Sequence, residues 1–459
     1  MEEISGNMDR RDFIKLVGAG AALAALSGCG SKDNSSGAKT AETSAGNMTY
    51  RIDPKNGNRV SLLGYGCMRW PRISRAQKES LEDGNDLDQE AVNRLIDYAI
   101  ASGVNFFDTS PRYCKGFSET VTGIALNRHP RDKYFISTKM SNQSGRSREE
   151  SLDIYKRSFE NLKVDYIDYY LVHNVGNHEN FKERYIDNGI LDFMMKERDA
   201  GRIRSLGWSF HGDGKFFDYL MSEYQWDFVL IQLNYLDWNN VVETNRTSID
   251  ARHQYEVLAE KNIPAMIMEP LLGGRLAMPH YKARAMMTQT DPNASAASWA
   301  FRFAGSLPNV LTVLSGMTFM EHLQDNIRTY SPLVPLTEKE NAMLGQVTQI
   351  ALAPENRNIN CTSCQYCMPC PYGLDIPEIF THFNRSLNEG NFPDNKQDAD
   401  YRRARRAFLV GQDRKISPIR QANRCTGCQI CRKNCPQNIN IPQEMRRIDK
   451  FTETLKIDV

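Results

Sequence analysis

The sequence predicts a (β/α)8 TIM barrel over the middle of the chain, followed by a small, mainly α-helical domain. Three observations predict this: eight short apolar runs rich in β-branched residues, amphipathic stretches between them, and eight of eleven cysteines gathered near the C-terminus. Strands that alternate with helices form parallel sheets, and eight such units in about 270 residues match a barrel. The alternative, a doubly wound open sheet, needs a glycine-rich phosphate loop after an early strand, and the sequence has none there.

The candidate strands and helices are distinguished by the period of their apolar residues. The strands are Val60–Met68, Val104–Phe107, Tyr134–Lys139, Tyr166–Val172, Ile203–Trp208, Phe228–Gln232, Ile263–Met268 and Val310–Leu314. The helices are Leu87–Ala101, Ser151–Leu162, Asp192–Ala200, Gln254–Lys261 and Ala294–Ala304. We therefore expect the barrel to span residues 49–335 and the C-terminal domain residues 336–459.

Composition and charge narrow the class of protein. The chain has 459 residues, of which 41% are hydrophobic and 25% charged, and its net charge is +1. These values are typical of a globular protein with more than one folding unit rather than of a disordered or multi-span membrane protein. The near-zero net charge provides no overall basic field, so we expect no nucleic-acid partner.

The N-terminus carries the pattern of an export signal. Arg10 and Arg11 precede a short apolar run, Leu16–Leu26, which is shorter than the ~20 residues needed to span a bilayer. A short buried helix is the alternative. The paired arginines resemble the twin-arginine signal, and the four residues that end at Cys29 resemble a lipobox. The resemblance implies a signal over 1–29, a Ser/Gly-rich tether over 30–48, and a lipidated Cys29 that anchors an exported protein on the periplasmic or cell-surface side of a membrane.

Three polar residues end consecutive candidate strands, where the chemistry of a barrel is found. They are Asp108, Lys139 and His173, and Tyr113 follows Asp108 by five residues. Alone, each has an ordinary reading, as a helix cap, a surface lysine or a core histidine. Together they form a coherent acid–base set. A lysine ammonium lowers the pKa of a phenol, a carboxylate holds that lysine, and a histidine orients a carbonyl oxygen by a hydrogen bond.

These four residues resemble the catalytic tetrad of the aldo/keto reductases, and motifs around them extend the resemblance over nearly the whole barrel. The motifs include Leu63-Gly64-Tyr65-Gly66, Gly207-Trp208-Ser209 and Glu269-Pro270-Leu271-Leu272-Gly273-Gly274. The resemblance implies Tyr113 as general acid, Lys139 and Asp108 as groups that tune it, and His173 as the residue that orients the carbonyl. It implies a small carbonyl or alcohol substrate and an NAD(P)H cofactor.

The same resemblance assigns residues to the nucleotide. It places Ser209 and Gln232 at the nicotinamide amide, the Leu271 and Gly273 loop near the pyrophosphate, and Asp325 and Asn326 at the adenine. The family usually offers basic residues to the adenosine 2′-phosphate in the segment after the last strand. Here Met317 and His322 stand in that segment, so the choice between NADH and NADPH stays open.

The C-terminal cysteines form an internal repeat. The first motif is Cys361-x2-Cys364-x2-Cys367-x2-Cys370-Pro371, and the second is Cys425-x2-Cys428-x2-Cys431-x3-Cys435-Pro436. Three cysteines at this spacing bind one [4Fe–4S] cluster, and the fourth, beside proline, reaches the other cluster. This predicts one site of Cys361, Cys364, Cys367 and Cys435, and another of Cys425, Cys428, Cys431 and Cys370. Zinc and disulfides are the alternatives, but zinc favours pairs of Cys-x2-Cys units, and such close residues meet disulfide geometry poorly.

About fifty residues separate the two motifs, and this spacer resembles that of helical dicluster ferredoxins. Ile379–Leu387 and Asp398–Leu409 have helical patterns, and four arginines lie on the second stretch: Arg402, Arg403, Arg405 and Arg406. They form either a solvated helix face or a docking patch for an acidic redox partner.

Three functions remain open. The first is a reductase or dehydrogenase whose two [4Fe–4S] clusters exchange electrons with a redox partner protein or a quinone system. The second is an electron-transfer protein whose barrel is only a docking scaffold. The third is a lipid-anchored binding protein.

Overall fold

The computed structural model describes residues 47–73, 85–238, 250–353, 356, 358–393 and 395–457. The predicted export signal, Cys29 and almost all of the predicted tether lie outside these residues. Among the helices within the described ranges, none is long and apolar enough to cross a bilayer.

An antiparallel hairpin precedes the barrel. Its strands are β1 (Tyr50–Ile52) and β2 (Arg59–Ser61), with Arg51 opposite Val60. Asn56 in its turn donates to Ser205 Oγ at 3.0 Å, and the Tyr169 hydroxyl donates to Asp53 at 2.9 Å. The hairpin thus covers the end of the barrel at which the strands begin, and leaves the opposite end for chemistry.

Eight parallel strands close into the barrel that the sequence predicts. They are β3 (Leu63–Gly66), β4 (Phe106–Asp108), β5 (Phe135–Met140), β6 (Ile167–Val175), β7 (Ile203–Phe210), β8 (Phe228–Gln232), β9 (Ala265–Met268) and β10 (Val310–Ser315), and β10 pairs with β3 to close the sheet. Each corresponds to one candidate strand. The first candidate, Val60–Met68, is divided because Val60 and Ser61 pair with β1 before the barrel strand begins at Leu63.

Helices alternate with these strands and pack their apolar faces on the sheet. They are α1 (Gln89–Ala101), α2 (Ser118–Leu126), α3 (Arg148–Leu162), α4 (His178–Phe181), α5 (Ile190–Asp199), α6 (Gly214–Glu223), α7 (Ala251–Glu260), α8 (Tyr281–Thr290), α9 (Ala296–Gly305) and α10 (Met320–Thr329). Side-chain caps set several of their starts. Ser147 and Glu150 form a reciprocal capping box at α3, and Asp88 and Asp213 cap α1 and α6.

The C-terminal region has its own apolar core, but that core begins later than the predicted boundary at residue 336. Helix α11 (Glu338–Leu352) packs with Trp299 and Tyr235 of the barrel. The second core starts at Ile359 and contains the buried rings of Phe380 and Phe408. Its helices are α12 (Ile376–Asn388), α13 (Tyr401–Lys415), α14 (Ile430–Lys433) and α15 (Ile441–Ile457). The spacer between the motifs is therefore helical, as its pattern predicts.

The cysteine loops lie on the mouth of the barrel, at the carboxyl ends of its strands. The carbonyl of Thr362 accepts a hydrogen bond from Arg69 at 2.6 Å, and Asn360 accepts one from Arg275 at 3.0 Å. Gly273 approaches Thr362 so closely that an added Cβ would lie 2.3 Å from its carbonyl oxygen. The C-terminal domain therefore covers the end of the barrel that carries the predicted catalytic residues.

Candidate active site and iron–sulfur centres

Asp108 and Lys139 form a buried ion pair at the ends of β4 and β5. Lys139 Nζ lies 2.5 Å from Asp108 Oδ1 and donates to the Thr109 carbonyl at 2.8 Å, while the Ser137 hydroxyl donates to the same Asp108 oxygen at 2.8 Å. Both side chains are at most 4% exposed. These contacts hold the ammonium 5.1 Å from the centre of the Tyr113 ring. The paired strands thus bring three of the four predicted residues together.

Burial raises the pKa of Tyr113 well above its ordinary value of 10.0, and the negative charge of Asp108 raises it further. Stabilisation of the phenolate by Lys139 predicts the opposite direction. The structure differs because the negative charge of Asp108 lies at contact distance from the Lys139 ammonium and offsets its effect on the phenol, so that burial dominates. The phenol is therefore held in its protonated form, as a proton donor requires.

His173 completes the group as a neutral imidazole. Burial and the nearby charge of Lys139 lower the pKa of His173 well below 6.5. Its Nδ1 lies 2.5 Å from the Ser141 hydroxyl, and its ring meets that of Tyr113 edge-on, with centres 6.2 Å apart. Arg184 donates to the His173 carbonyl at 2.8 Å, which fixes the backbone at the end of β6. The other nitrogen, Nε2, is left for contacts within the mouth of the barrel.

The four residues line one cavity of about 780 Å³. This volume lies within the range of cavities that bind cofactors and small ligands. The cavity extends from Tyr113 and His173 past Ser209 and Glu269 to the loop after β9, and on to α10. Cys364 and Tyr366 of the C-terminal domain form part of the same wall. The site is therefore built from both domains.

The residues predicted to hold the nicotinamide amide do not share one position. Ser209 lines the cavity, and its hydroxyl oxygen accepts a hydrogen bond from the Asn174 amide at 2.8 Å. Gln232 is fully buried and absent from the cavity wall as the described residues define it. Its amide donates to Asp237 at 2.8 Å and its oxygen accepts from Gln437 at 3.1 Å. Gln437, just after Cys435, therefore lies between Gln232 and the cavity, which the sequence argument did not foresee.

The loop after β9 contacts both the cavity and the C-terminal domain. Leu271 and Gly273 line the cavity, as expected for residues near a pyrophosphate, but one face of Gly273 is packed against Thr362. The positive φ of Gly273, 67°, and the absence of a side chain both permit this approach. The loop is therefore a docking point for the C-terminal domain as well as a wall of the cavity.

The far end of the cavity carries charges of both signs. Asp325 accepts a hydrogen bond from Ser295 at 2.6 Å and pairs with Arg328 at 2.9 Å, while Asn326 donates to Ser315 at 3.0 Å. Glu321 and Arg328 line the same end. Arg328, one helical turn after Asp325 on α10, was not singled out from the sequence, although its i, i+3 spacing to Asp325 could have indicated it.

The eight clustered cysteines divide between two cavities. One is lined by Cys361, Cys364, Cys367 and Cys435, and is called here the first cluster site. The other is lined by Cys370, Cys425, Cys428 and Cys431, and is called the second cluster site. Each motif thus supplies three cysteines to one cavity and its last cysteine to the other. This is the grouping that the spacing predicts for two [4Fe–4S] clusters.

The donor set of these cavities fits [4Fe–4S] clusters. Four cysteines line each cavity, together with no His, Asp or Glu among the described lining residues. All ten cysteines that the structure describes are free of disulfides. Apolar side chains such as Ile376 and Ile441 complete both walls. Cys67 and Cys114 are buried in the barrel, away from both sites.

Tyr366 is a third site residue that the sequence did not predict, after Gln437 and Arg328. It lies between Cys364 and Cys367, and its hydroxyl lies 3.5 Å from Nε2 of His173. The Arg112 guanidinium stands 4.8 Å from the centre of its ring. The sequence does not identify Tyr366 as a site residue, because no sequence feature indicates that this cysteine motif faces the mouth of the barrel.

The fold and the site define a barrel oxidoreductase with a dicluster iron–sulfur domain. The profile of the aldo/keto reductase family matches residues 63–349, and that of the 4Fe-4S dicluster domain matches residues 360–441. The chain belongs to the aldo/keto reductase family.

Individual relatives are distant. The uncharacterized oxidoreductase YqkF of Bacillus subtilis is 25% identical over 299 residues, which cover 61% of this chain and 90% of that protein. The holo form of aldo-keto reductase AKR11C1 from Bacillus halodurans superimposes with a TM-score of 0.52 at 19% identity, covering 68% of this chain and all of that one. An aldo-keto reductase from Klebsiella pneumoniae in complex with NADPH superimposes with a TM-score of 0.50 at 19% identity, covering 68% of this chain and 99% of that one. These two structural likenesses establish the fold alone.

Proposed function

We propose that the protein interconverts a small carbonyl compound and an alcohol by hydride transfer with a nicotinamide cofactor, and that two [4Fe–4S] clusters pass electrons between this site and an external partner. One observation carries the proposal. The predicted acid–base residues and Cys364, a ligand in the first cluster site, line the same cavity. The hydride chemistry and the electron carriers would therefore share one enclosed site.

The residues of the barrel have separate roles in this reaction. Tyr113, protonated because its pKa is raised, gives its proton to the carbonyl oxygen as negative charge develops there. His173, neutral because its pKa is lowered, donates a hydrogen bond to that oxygen and orients it. Lys139 and Asp108 fix the ring of Tyr113 from below through their buried pair.

The rest of the cavity fits a dinucleotide. Ser209, Leu271, Gly273, Asp325 and Asn326 all line it, which supports the positions that the family resemblance implies for them. When bound, the nicotinamide supplies the hydride. Glu321 and Asp325 place two carboxylates at the far end, beside Arg328 and His322, and Arg69 also lines the cavity. We expect the two carboxylates to disfavour an additional 2′-phosphate, so that NADH binds more tightly than NADPH.

The number of cysteine sites, two, equals the number of electrons carried by one hydride. A [4Fe–4S] cluster exchanges one electron, so two clusters together hold the two electrons of one hydride. Ile376 and Ile441 line both cysteine cavities, so the residues that would hold the two clusters share two neighbouring side chains.

A second candidate function is favoured by a specific observation. Gln437 contacts Gln232, and Tyr366 stands 3.5 Å from His173, so the C-terminal domain occupies two positions that the family resemblance gives to nicotinamide and substrate. A protein that transfers electrons only, with the barrel as a scaffold, would have such contacts permanently.

An anaerobic titration with NADH and then NADPH separates the two functions. The holoprotein's visible cluster absorbance is followed, with dithionite reduction and iron content as references. Bleaching by NADH at lower concentrations than NADPH supports the proposal. Iron-loaded protein that dithionite bleaches, and that neither nucleotide binds or bleaches, would contradict it and favour the electron-transfer function.

The place of this reaction is also a proposal. The paired arginines and the lipobox-like sequence support export of a folded, cluster-loaded protein and its anchoring through a lipidated Cys29. Fractionation of cells that express wild type, Cys29→Ala and Arg10→Lys/Arg11→Lys chains tests it. We expect Cys29→Ala to release exported protein from the membrane, and the arginine variant to remain inside the cell. Equal fractionation of all three would contradict the proposal.

A further inference from the structure

The two cysteine motifs present equivalent positions on equivalent backbones. Both begin Cys-Thr-x-Cys-Gln-x-Cys, so that Thr362 corresponds to Thr426, Cys364 to Cys428 and Tyr366 to Ile430. The glutamines between these positions, Gln365 and Gln429, have the same left-handed φ of 66°. A face of one motif therefore has a counterpart on the other.

In the first motif this face is covered by the barrel. Thr362 is 2% exposed, and its carbonyl accepts a hydrogen bond from Arg69. Cys364 and Tyr366 line the active-site cavity, and Tyr366 contacts His173. These three positions thus connect the first cluster site to the partner with which it exchanges electrons under the proposed function.

In the second motif the three equivalent positions are exposed to solvent. Thr426 and Cys428 are exposed, and Ile430 is 52% exposed. Tyr372, which lines the second cluster site, is 51% exposed beside them. The second cluster site therefore has one ligand and two large apolar side chains open to solvent. Thr426, Cys428, Ile430 and Tyr372 are called here the outer face.

The charges next to the outer face are basic. The stretch 422–439 of the second motif has three cations, Arg424, Arg432 and Lys433, and no carboxylate, whereas the matching stretch 358–374 of the first motif has no charged residue. Arg424, Arg432 and Lys433 flank the ligands, and Nη1 of Arg446 lies 3.7 Å from the Cβ position of Gly427. These four cations are exposed, and over the described ranges none has an ion-pair partner. Such a field attracts acidic surfaces and accelerates their approach.

We propose that the outer face is the docking surface for an acidic one-electron carrier protein. The proposal rests on the proposed passage of electrons through the clusters. In each transfer one electron leaves the reduced second cluster, which returns to its oxidised state, and reduces the carrier by one unit. Equivalent positions of the two motifs thus contact different partners. Those of the first motif, which has no charged residue nearby, contact the barrel of the same chain. Those of the second motif, which are flanked by cations, bind the carrier protein.

Electron transfer to two probe proteins of opposite charge tests the proposal. The holoprotein is reduced with dithionite, freed of excess reductant, and mixed by stopped flow with acidic flavodoxin or basic cytochrome c. For flavodoxin we expect a second-order rate constant that falls as salt is added, and that falls about tenfold at low salt in Arg432→Glu/Lys433→Glu. The rate with cytochrome c should stay equal or rise in that variant.

A matched control uses the other basic face. Arg402→Glu/Arg406→Glu makes the same charge change on exposed positions of α13, which the sequence offers as a competing docking patch. We expect it to leave the flavodoxin rate within about twofold, because neither arginine lines the second cluster site. A greater loss in this variant than in Arg432→Glu/Lys433→Glu would overturn the proposal. So would a wild-type flavodoxin rate that does not depend on salt.

Two further measurements keep the result interpretable. Arg446 lies on α15, outside the cysteine loop, so Arg446→Glu provides the same test if the double variant loses iron. An unchanged flavodoxin rate in Arg446→Glu would contradict docking at the outer face. Sedimentation of the wild type detects self-association, and a dimer that Ile430→Glu dissolves would assign the face to a second copy and overturn the proposal. Because dithionite supplies the electrons, a failure of nicotinamide coupling does not affect these rates.

Discussion

At the scale of single residues, Tyr113 is the group on which the proposed chemistry depends most directly. Under the proposed function its hydroxyl is the acid of the tetrad, and burial beside the Lys139–Asp108 pair raises its pKa. Tyr113→Phe removes the proton and keeps the ring, so we expect carbonyl reduction to fall about 10²–10⁴-fold with little change in nucleotide binding. Steady-state rates and fluorescence titration with NADH measure the two effects. A variant that keeps more than a tenth of the activity would exclude Tyr113 as the acid.

The pH dependence follows from two pKa shifts of opposite direction. The pKa of Tyr113 is raised above 10.0, so its acid form persists to alkaline pH, and the pKa of His173 is lowered below 6.5, so its neutral form persists to acidic pH. Loss of carbonyl reduction therefore requires a pH above the first value or below the second. We expect kcat/KM to be flat between pH 6.5 and 10 in a buffer series at constant ionic strength. A titration inside this window would contradict the assignment.

Tyr366 brings a phenol from the C-terminal domain to the nitrogen that orients the substrate. Because its hydroxyl stands 3.5 Å from His173 Nε2, we expect it to share the hydrogen bonding of the substrate oxygen. Tyr366→Phe should raise KM for the carbonyl about 5–10-fold, the effect of one lost hydrogen bond, with the cluster spectrum intact. Tyr372→Phe is the control, since Tyr372 flanks the second cluster site instead. Equal effects of the two substitutions would indicate a general disturbance of the domain.

At the scale of elements, the polar residues at the ends of the strands could be predicted from the sequence, and the contacts between the two domains could not. Asp108, Lys139 and His173 could be found because apolar strands end in polar residues, a pattern that the period of the sequence reveals. Gln437 and Tyr366 reach the cavity through contacts between domains far apart in sequence, and no local pattern encodes such contacts. The direction of the pKa shift of Tyr113 was missed for a similar reason, because it depends on burial.

The loop after β9 joins the two domains at one glycine. An added Cβ at Gly273 would lie 2.3 Å from the Thr362 carbonyl oxygen, whereas one at Gly274 has no atom within 4 Å, and both residues have positive φ. Gly274→Ala thus introduces a side chain at a backbone conformation at least as strained, φ 100° against 67°, without the clash. We expect Gly273→Ala to be less stable than Gly274→Ala by about 1–3 kcal/mol and to expose the Thr362 loop to protease. Equal stability in thermal unfolding would mean that the close approach contributes nothing.

At the scale of the whole molecule, the repeat explains why the cysteine sites were predictable from spacing. The fourth cysteine of each motif is followed by proline, and this places Cys370 at the second cluster site and Cys435 at the first. The spacing could not predict which of the two motifs faces the barrel, because the motifs are nearly equivalent in sequence. The barrel distinguishes them by covering one face and leaving the other exposed.

Under the proposed function, this exchange of ligands means that each cluster would be held by residues 55 to 74 positions apart, so that neither motif would hold a cluster alone. We expect Cys435→Ser to produce the same loss as Cys361→Ser, and Cys370→Ser the same loss as Cys425→Ser. The first pair should lose the cluster nearest the barrel and hence any bleaching by NADH, and the second pair should keep that bleaching at half the amplitude. Iron content and low-temperature EPR of the dithionite-reduced variants distinguish the pairs, with Cys67→Ser as a control that removes a thiol in the barrel core. If Cys435→Ser instead matches Cys425→Ser, each motif binds its own cluster, and the two domains are connected by a different path.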